Sequence, residues 1–419
     1  MKTIYNLAII FLQLIFYFGR FFNQKLNQGF NGRRNWRPYL KTFKKNNQGK
    51  IIWIHCASLG EFEMARPLID ELNQNSLDDT SILLSFFSPS GYELRKNFNL
   101  VQGVMYLPLD TKKNANDFVE ILKPSTAIFV KYEFWLNYLQ ALKSIGSKVM
   151  LINGVFRKNQ VFFKCCGGIF REGLKNFDVL FLQNKASEKL LQSLNSDGQF
   201  LNTIVTGDLR YDRVMANSKV TKAFPMLDTF LKEAFVIIGG STWAPEEWIL
   251  KQCVDEIGAA VKLIIAPHDV SEKHLKHIET RFKGNSLKRF SKMKDDDNPQ
   301  IVLVDTVGHL STLYRYGQIA LVGGGFSGNL HNIIEPAVYG IPVFFGYKHA
   351  KFPEAAYFLH HKIGIKIHNG FNFTQHIKSI IEHPKMLDAI KNKTIQVFKP
   401  HLGGTQQVYY KLKSFLYNP

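Results

Sequence analysis

One segment carries a carboxylate in a position that suits proton transfer. Residues 55–61, with the sequence HCASLGE, leave a predicted strand and open a predicted helix. Ser58 and Glu61 have the spacing of a capping box, in which the two side chains satisfy the first free amides of the helix. Alternatively, the positive end of the helix holds Glu61 as a carboxylate that removes a proton from a hydroxyl group. The spacing permits both roles.

A second segment, residues 323–336, has a composition that suits phosphate binding. Its sequence, GGGFSGNLHNIIEP, follows a predicted apolar strand. Glycine lets the backbone approach a ligand closely, and a helix predicted to begin near Asn332 would direct free amides and a positive dipole towards an anion. The segment matches neither the Walker pattern nor GxGxxG, so a tight turn between strand and helix is the alternative. Glu335 is a candidate acceptor for ribose hydroxyls.

Three other loops follow predicted strands in the second half of the chain. They are residues 239–242 (GGST), Pro267 with His268, and residues 305–309 (DTVGH). The carboxyl ends of parallel strands meet at one edge of a sheet, where open α/β sheets bind their ligands. Together with the glycine-rich segment, these loops predict a binding site at one edge of a second sheet.

Short apolar runs alternate with longer amphipathic runs from residue 51 onwards, which indicates parallel sheets covered by helices on both faces. The predicted strands are 51–55, 82–86, 127–130, 149–152, 179–182, 204–205, 235–238, 263–266, 301–304, 319–322, 343–345 and 364–367.

The predicted fold class is therefore α/β, with two doubly wound Rossmann-like domains that face a central cleft and follow an N-terminal hydrophobic helix. The predicted boundaries are 1–25 for this helix, 26–212 for the first domain, 213–228 for a linker in which strand signals lapse, and 229–419 for the second domain.

The composition excludes a disordered or fibrous chain and favours anionic partners. The 419 residues are 45% hydrophobic and 21% charged, with a formal net charge of +19, which is typical of folded domains that bind anions. Four cysteines without CxxC spacing argue against a disulfide scaffold or a structural zinc site. His274 and His277 have HxxH spacing without a nearby acidic ligand, so they are interpreted as a solvated helix face.

The first 50 residues carry ten lysines and arginines and no acidic residue. The uncharged run 3–19 is marginal for a membrane-spanning helix. Asn6, Gln13 and Arg20 recur every seventh residue and would form a narrow polar stripe, which favours an interfacial helix, while a short span and a buried core helix are the alternatives. Either membrane interpretation predicts binding to anionic lipids and holds the rest of the chain on the cytoplasmic side.

The motifs together resemble a known family. HxxSxGE (55–61), YEFWxN (132–137), VTGDLRYD (205–212), GGST (239–242), DTVGHL (305–310) and the glycine-rich segment have the order and spacing of the 3-deoxy-D-manno-octulosonic acid (Kdo) transferases of lipopolysaccharide synthesis. The resemblance runs from the hydrophobic N-terminus almost to the C-terminus. It implies the two-domain GT-B glycosyltransferase fold, with an acceptor-side first domain.

The resemblance implies transfer of Kdo from CMP-Kdo to lipid IVA, the lipid A precursor, at the cytoplasmic face of the cell inner membrane. The displacement would be inverting and would need no metal or cofactor, with Glu61 as general base and Arg210 as the cation that stabilises developing charge. The positions matching the family's CMP site are Pro267, His268, Val307, Gly308, His309, Asn332, Ile333, Ile334 and Glu335.

Two other function classes share some of these features. A membrane-associated GT-B glycosyltransferase with a UDP-sugar donor would share the fold, the basic face and the glycine-rich segment. A nucleic-acid-binding protein is disfavoured, because no RNA-recognition motif is present and the cations concentrate beside the apolar N-terminus.

The sequence departs from the family pattern near the expected base. Lys131 stands where the family's ExEhWPN motif has its first glutamate, which leaves only Glu133, and Leu136 replaces the proline. We hypothesise that Lys131 contacts a lipid phosphate. The segment matching PRHPER is shortened to residues 267–269, and the segment matching NARLS reads NGVFR at 153–157.

An aromatic and basic segment, residues 156–171, permits two interpretations. It is either ordinary core and surface, or it holds acyl chains and phosphates near the bilayer. Its aromatic members are Phe156, Phe162, Phe163 and Phe170, and its basic members are Arg157, Lys158, Lys164 and Arg171.

Overall fold

The computed structural model describes residues 2–75, 77–194, 201–220, 223–231 and 234–417. The chain forms two compact units: unit 1 comprises Met1–Arg213 and His401–Pro419, and unit 2 comprises Val214–Pro400. Each unit contains a seven-stranded sheet in which every strand pair is parallel. The predicted pair of doubly wound α/β units is confirmed.

Unit 1 has the sheet order β3-β2-β1-β4-β5-β6-β7. Its described strands are β1 (Lys50–Cys56), β2 (Thr80–Phe86), β3 (Gly103–Tyr106), β4 (Thr126–Val130), β5 (Lys148–Gly154), β6 (Val179–Leu182) and β7 (Thr203–Val205). The helices up to its boundary with unit 2 are α1 (Lys2–Gly19), α2 (Gln24–Gly32), α3 (Trp36–Asn46), α4 (Leu59–Gln74), α5 (Pro89–Arg95), α6 (Lys112–Leu122), α7 (Leu136–Ser144), α8 (Gly168–Leu174), α9 (Lys185–Gln192) and α10 (Arg210–Lys219).

The central strand β1 explains why the apolar run is nearly continuous. Side chains alternate between the two faces of a strand, and both faces of this sheet are covered. Ile51 and Trp53 accordingly lie in one hydrophobic core, while Ile52 and Ile54 lie in the other, and all four are fully buried. The next residue, His55, is also fully buried and ends the apolar run at the carboxyl edge of the sheet.

The N-terminal helix α1 is shorter than the predicted segment 1–25 and is arranged differently. Asn6 faces unit 1 and its Oδ1 accepts a hydrogen bond from Asn137 at 2.9 Å. Gln13 is exposed, and Arg20 lies after the helix with its guanidinium over the ring of Phe30. Asn6 and Gln13, seven residues apart in one helix, lie on the same side of α1, whereas the third residue of the predicted stripe, Arg20, follows the helix. The helix is long and apolar enough to cross a membrane, judged by length and composition alone.

Most of the α1 surface is exposed, because only Ile9 and Phe16 are buried. The large apolar side chains exposed on α1 and the turn after it are Ile4, Leu7, Ile10, Phe11, Leu14, Ile15, Tyr17, Phe18, Phe21 and Phe22. We call this set the α1 apolar face.

Unit 2 has the sheet order β10-β11-β9-β8-β12-β13-β14. Its described strands are β8 (Phe235–Thr242), β9 (Val261–Pro267), β10 (Leu287–Arg289), β11 (Ile301–Leu303), β12 (Ile319–Val322), β13 (Val343–Gly346) and β14 (Gly364–Ile367). Its described helices after α10 are α11 (Asp228–Leu231), α12 (Ala244–Ile257), α13 (Glu272–Arg281), α14 (Leu310–Leu313), α15 (Ile334–Ala337), α16 (Pro353–His360), α17 (Gly370–Glu382) and α18 (Lys385–Phe398).

The C-terminal helix α19 (Gly404–Tyr417) belongs to unit 1, whereas the sequence analysis assigned all of 229–419 to the second domain. Its apolar face, including Leu412, packs against α4 in the core of unit 1. The Asp212 carboxylate fixes the approach to the helix, because it accepts hydrogen bonds from the backbone amides of Gly403 at 2.6 Å and Thr405 at 2.7 Å. An amphipathic pattern reveals that a helix covers a sheet but not which sheet it covers.

The described part of the predicted linker 213–228 contains helical segments. Helix α10 continues through it to Lys219, and a 3-10 turn at Pro225–Leu227 leads into α11. Leu227 and Phe230 are fully buried in the core of unit 2.

We predict that Leu412→Ala destabilises unit 1 selectively. Removing a fully buried leucine side chain from a packed core costs about 2–5 kcal/mol. Hydrogen–deuterium exchange with mass spectrometry should detect faster exchange in peptides from β1 and β4, with unchanged peptides from β8 and β12. The exposed neighbour Lys413 provides the control Lys413→Ala, and loss of protection in β8 would contradict the assignment of α19 to unit 1.

Candidate active site

The segment after β1 gives Glu61 a defined environment. Ser58 is the N-cap residue of α4 but makes no side-chain bond to a backbone amide of the helix. Its hydroxyl instead donates to Glu61 Oε2 at 2.6 Å. The predicted capping box is therefore not formed, and the half-buried carboxylate has a hydroxyl donor instead.

Opposing effects act on the pKa of Glu61. Burial raises this pKa above its usual range, and the negative charge of Glu133 raises it further. The Ser58 hydrogen bond and the positive charge of Lys131 act in the opposite direction. Burial is the largest effect, so the net shift is upward. A carboxylate with a raised pKa is a stronger base near neutral pH.

A buried histidine supports the carboxylate at position 133. The Nε1–H of Trp135 lies 2.6 Å from Glu133 Oε2 and 3.2 Å from His55 Nε2, and Glu133 Oε2 is 3.5 Å from the same ring nitrogen. The other ring nitrogen of His55 lies 2.9 Å from Ser85 Oγ. The ring of His55 is therefore held from both sides and orients Trp135 and Glu133.

Lys131, where the sequence departs from the family pattern, has an unusual backbone conformation. Its φ is +65°, and its amide donates to the carbonyl of Ile152 at 2.9 Å. Asn153, the residue after Ile152 on β5, also has a positive φ, of 53°. Such conformations are costly for residues other than glycine and persist only where surrounding contacts enforce them. Both lie at the carboxyl edge of the sheet that carries Glu61.

Arg210 opens α10 and is held by a buried carboxylate. Its Nη2 lies 2.7 Å from Asp208 Oδ2, and its Nε lies 3.2 and 3.1 Å from the two Asp208 oxygens. Burial alone would raise the pKa of Asp208, but the Arg210 guanidinium lowers it overall. The loop is tied to the sheet by Asn153, whose Oδ1 accepts the backbone N–H of Leu209 at 3.0 Å.

In unit 2, three aromatic rings meet at the carboxyl ends of β8 and β9. The Trp243 ring stacks on His268 with centroids 4.5 Å apart, and His268 lies 4.6 Å from the ring of His331. The indole N–H of Trp243 donates to His331 Nε2 at 3.3 Å. A ring nitrogen that accepts a hydrogen bond belongs to a neutral imidazole, and burial lowers the pKa of His331 to about 4.

A buried glutamate connects this cluster to the glycine-rich segment. Glu246 Oε2 accepts the amide of Trp243 at 3.1 Å, and its Oε1 accepts the amide of Gly324 at 3.0 Å. Gly324 has a φ of +84°, and a Cβ atom there would lie 2.1 Å from the carbonyl oxygen of Asn329. This glycine is therefore required by the turn itself, which supports the tight-turn alternative for this part of the segment.

The predicted CMP-site residues after β12 differ in what they can offer a ligand. Asn332 Nδ2 donates to Glu335 at 3.0 Å, and its Oδ1 accepts the amide of Ile334 at 3.1 Å. The side chains of Ile333 and Ile334 are fully buried in unit 2, so only their backbone could meet a ligand. The helix predicted near Asn332 begins at Ile334 and spans only four residues.

The remaining predicted residues lie after β9 and β11. Pro267 is the last residue of β9, directly before His268. Val307 is 76% exposed and Gly308 has a φ of +90°. The ring of His309 packs against Phe224 and Phe290, with centroids 5.7 and 5.5 Å away. His309 is thus a packing residue on at least one face of its ring.

The sequence did not identify every residue of the unit 2 cluster. Trp243 and Glu246 lie outside the predicted motifs, and His331 lies within segment 323–336 but was not among the predicted CMP-site residues, although Trp243 directly follows GGST and His331 directly precedes Asn332. Their adjacency to named motifs was the available signal. His274 was interpreted as part of a solvated face, but its Nε2 lies 2.8 Å from the buried carboxylate of Glu247. Within the described ranges, no three His, Cys, Asp or Glu residues form a group that could hold a metal ion.

Within the aromatic and basic segment 156–171, Phe156 and Phe162 are buried in the core of unit 1, while Phe163 and Phe170 are partly buried against it. Of its cations, Arg171 is half-buried and donates to the carbonyls of Phe162 and Lys164. The other three, Arg157, Lys158 and Lys164, are exposed. The segment thus combines a core contribution with an exposed basic surface.

Comparison with known proteins gives consistent results. A family model described as 3-deoxy-D-manno-octulosonic-acid transferase (kdotransferase) matches residues 34–213. The chain is 29% identical over 317 residues to the 3-deoxy-D-manno-octulosonic acid transferase of Aquifex aeolicus, covering 74% of this chain and 79% of the relative. It is 26% identical over 374 residues to a bifunctional glycosyltransferase/methyltransferase of Fusobacterium nucleatum, covering 86% of this chain and 55% of that relative.

The chain therefore spans about half the length of the Fusobacterium relative. Among solved structures, the UDP-GlcNAc 2-epimerase of Neisseria meningitidis is similar with a TM-score of 0.59 and 14% identity, covering 87% of this chain and all (100%) of the epimerase chain. At this identity the likeness concerns the fold alone, and it agrees with a GT-B-like fold that contains two Rossmann-like units.

We predict that the His331 ring titrates near pH 4, well below the usual histidine range. In the folded protein the ring resists protonation, whereas the unfolded chain takes up the proton near pH 6.5. The free energy of unfolding of unit 2 should therefore fall as the pH drops from about 6.5 to 4. Ring NMR signals assigned with His331→Gln measure the pKa directly. His268→Asn should raise it, because the His268 charge contributes to the lowering, and a ring that titrates near 6.5 would contradict the neutral cluster.

Proposed function

Because the chain belongs to the Kdo transferase family of glycosyltransferases, we propose that it transfers Kdo from CMP-Kdo to a hydroxyl of lipid IVA with inversion at the anomeric carbon. The observation that carries the proposal is the Glu61 carboxylate, half-buried at the carboxyl edge of its sheet and bonded to the Ser58 hydroxyl at 2.6 Å. CMP-Kdo, lipid IVA and the inverting course are parts of this proposal.

Glu61 acts as the general base that takes the proton of the attacking hydroxyl. Its raised pKa makes it a better proton acceptor than an ordinary exposed glutamate, while Ser58 and Lys131 keep the charged form accessible. The nucleophilic oxygen then attacks the anomeric carbon of Kdo as the bond to the CMP phosphate breaks. Positioned acid–base groups of this kind typically contribute 10²–10⁴-fold to a rate.

The departing CMP carries negative charge that fixed cations can stabilise. Arg210 supplies a guanidinium held by the Asp208 carboxylate, so its orientation is set before the substrate binds. Unit 2 would bind CMP through the aromatic cluster of Trp243, His268 and His331 and through the Asn332–Glu335 pair. The flat rings suit the nucleoside, and the amide and carboxylate suit ribose hydroxyls.

The α1 apolar face supports membrane association at the cytoplasmic side of the inner membrane. A large exposed apolar surface is unusual for a soluble monomer and marks an interaction site. The ten cations within the first 50 residues add attraction to anionic lipids. A lipid acceptor and its enzyme would thereby meet at the same surface.

We predict that Glu61→Gln lowers kcat for Kdo transfer by about 10²–10⁴-fold, because the amide keeps the shape of the side chain but cannot accept the proton. Mass spectrometry of lipid IVA incubated with CMP-Kdo measures the product as whole added Kdo units. The exposed Glu120 provides the matched control Glu120→Gln, which should transfer like the wild type. Transfer by Glu61→Gln at the wild-type rate would show that Glu61 is not the general base. Transfer from a UDP-sugar and not from CMP-Kdo would show that the proposed donor is wrong.

We also predict that Glu133→Gln moves the acid limb of the kcat/KM pH profile to lower pH. The Glu133 charge raises the pKa of Glu61, so its removal lets Glu61 lose its proton at lower pH. The base is active when deprotonated, and activity is lost as the pH falls through its pKa. The readout is the pH at which kcat/KM falls on the acid side, not the maximum value of kcat/KM. Glu120→Gln should leave that pH unchanged. An upward shift would show that Glu133 acts by another route.

A further inference from the structure

Unit 1 contains a mainly apolar cavity of about 390 Å³ that the proposed proton transfer does not use. Its walls come from α1, from residues 132–135 after β4, from the 3-10 turn Val161–Phe163, and from α8. The apolar part of the lining includes Ile9, Phe134, Val161, Phe162 and Phe170. We call it the α1 cavity. Its volume lies within the roughly 300–1,000 Å³ of ordinary ligand pockets.

The α1 cavity adjoins the groups around the proposed base. Glu133 and Trp135 both line it, and Glu133 is the sole charged side chain among the lining residues that the structure describes. The Trp135 indole N–H lies 2.6 Å from the Glu133 carboxylate, which in turn acts electrostatically on Glu61. A molecule in the α1 cavity therefore lies beside the network that surrounds Glu61.

Helix α1 is held against unit 1 by specific polar contacts, although most of its surface is apolar. The Tyr5 hydroxyl donates to Asp110 Oδ2 at 2.5 Å, and the Asn137 side chain donates to Asn6 at 2.9 Å. The Asp110 carboxylate also accepts the amide of Asn137 at 3.1 Å, at the start of α7. Burial raises the pKa of Asp110 to about 7. These bonds fix the rotation of α1, so that Ile9 faces the α1 cavity and the α1 apolar face points away.

We propose that α1 is part of the acceptor site: together with Phe134, Phe162 and Phe170, Ile9 encloses one acyl chain of the lipid acceptor in the α1 cavity. Three observations select this occupant. The lining is apolar, the cavity borders the network around Glu61, and one of its walls is the helix whose outer surface is the α1 apolar face. A lipid that approaches along that face could insert a chain into the α1 cavity without crossing water. The inference rests on the proposed transfer to a lipid acceptor.

The exposed cations of the neighbouring segment are consistent with the polar part of such a lipid. Lys158 and Lys164 flank the turn Val161–Phe163 in the sequence, and both are exposed. They could meet phosphate groups of the acceptor while its chain lies in the α1 cavity. Both interpretations of segment 156–171 then hold. Its buried rings form part of the wall of the α1 cavity, and its exposed cations form the adjoining protein surface.

The test measures KM for an acceptor with acyl chains and for one without them, in a variant whose α1 cavity is partly filled by a larger side chain. Ile9→Trp occupies part of the α1 cavity, so it should raise KM for lipid IVA in detergent micelles about tenfold or more, as expected when a few methylene groups lose their burial. It should leave KM for the fully deacylated glucosamine disaccharide bisphosphate unchanged. Ile9→Ala, which cannot clash with the chain, should raise KM for lipid IVA by a smaller factor. Thr3→Trp adds the same ring at an exposed position of α1 and should behave like the wild type with both acceptors.

Binding can be measured without turnover. Lipid IVA with brominated acyl chains should quench the emission of Trp135, which lines the α1 cavity, and the quenched component should be absent in Trp135→Phe. Equal KM changes for the acylated and deacylated acceptors in Ile9→Trp, or binding of the brominated lipid without quenching of Trp135, would overturn the inference. If the wild type transfers Kdo to neither acceptor although the brominated lipid binds and quenches, the proposed function fails and the lipid site stands.

Discussion

The environment of the Glu61 carboxylate is the constraint on which the rest of unit 1 depends. A carboxylate used as a base must be desolvated enough to attract a proton and stabilised enough to remain charged. Burial and the Glu133 charge act in the first direction, while the Ser58 hydroxyl and Lys131 act in the second. Four side chains from two strand ends act together here, and a rigid parallel sheet with a helix beginning at its edge positions them.

In unit 2, buried carboxylates likewise hold the residues at the edge of the sheet in place. Glu246 accepts backbone amides from two segments that are 81 residues apart in the sequence, at Trp243 and Gly324. The neighbouring Glu247 is fully buried and is paired with Arg281 and His274. A buried carboxylate without such partners would be strongly destabilising. These contacts therefore hold the edge of the sheet in the conformation that presents Trp243, His268 and His331.

Helix α1 presents different groups to unit 1 and to its surroundings. Its polar contacts through Tyr5 and Asn6 face unit 1, and its apolar side chains face outwards. This orientation is the reverse of a soluble amphipathic helix, in which the polar groups face water. A large exposed apolar surface of this kind marks an interaction site. The same helix also lines the α1 cavity through Ile9, so its two sides carry different groups.

Local patterns in the sequence determined the class of fold and the identity of the principal motifs. Apolar runs predicted twelve of the described strands, and the two that were missed, β3 and β10, are edge strands. Strand β10 reads Leu-Lys-Arg and is only half-buried, so it lacks an apolar run. Strand β3 reads Gly-Val-Met-Tyr and is buried, but it spans only four residues. The sequence likewise predicted that Glu61 follows a strand and lies at the start of a helix, because the apolar run of the strand and the start pattern of the helix are both local.

Tertiary structure alone decided which distant residues became neighbours. The sequence did not reveal that His55 contacts Trp135, that Trp243 contacts His331, or that α19 covers the sheet of unit 1. Nor did it reveal that Asn6, in the predicted polar stripe of α1, accepts a hydrogen bond from Asn137 of unit 1. The periodicity of apolar residues indicates which face of a helix or strand is buried away from water. Partners are chosen by strand order, by packing, and by the need of every buried polar group for a hydrogen bond, and these depend on the whole fold.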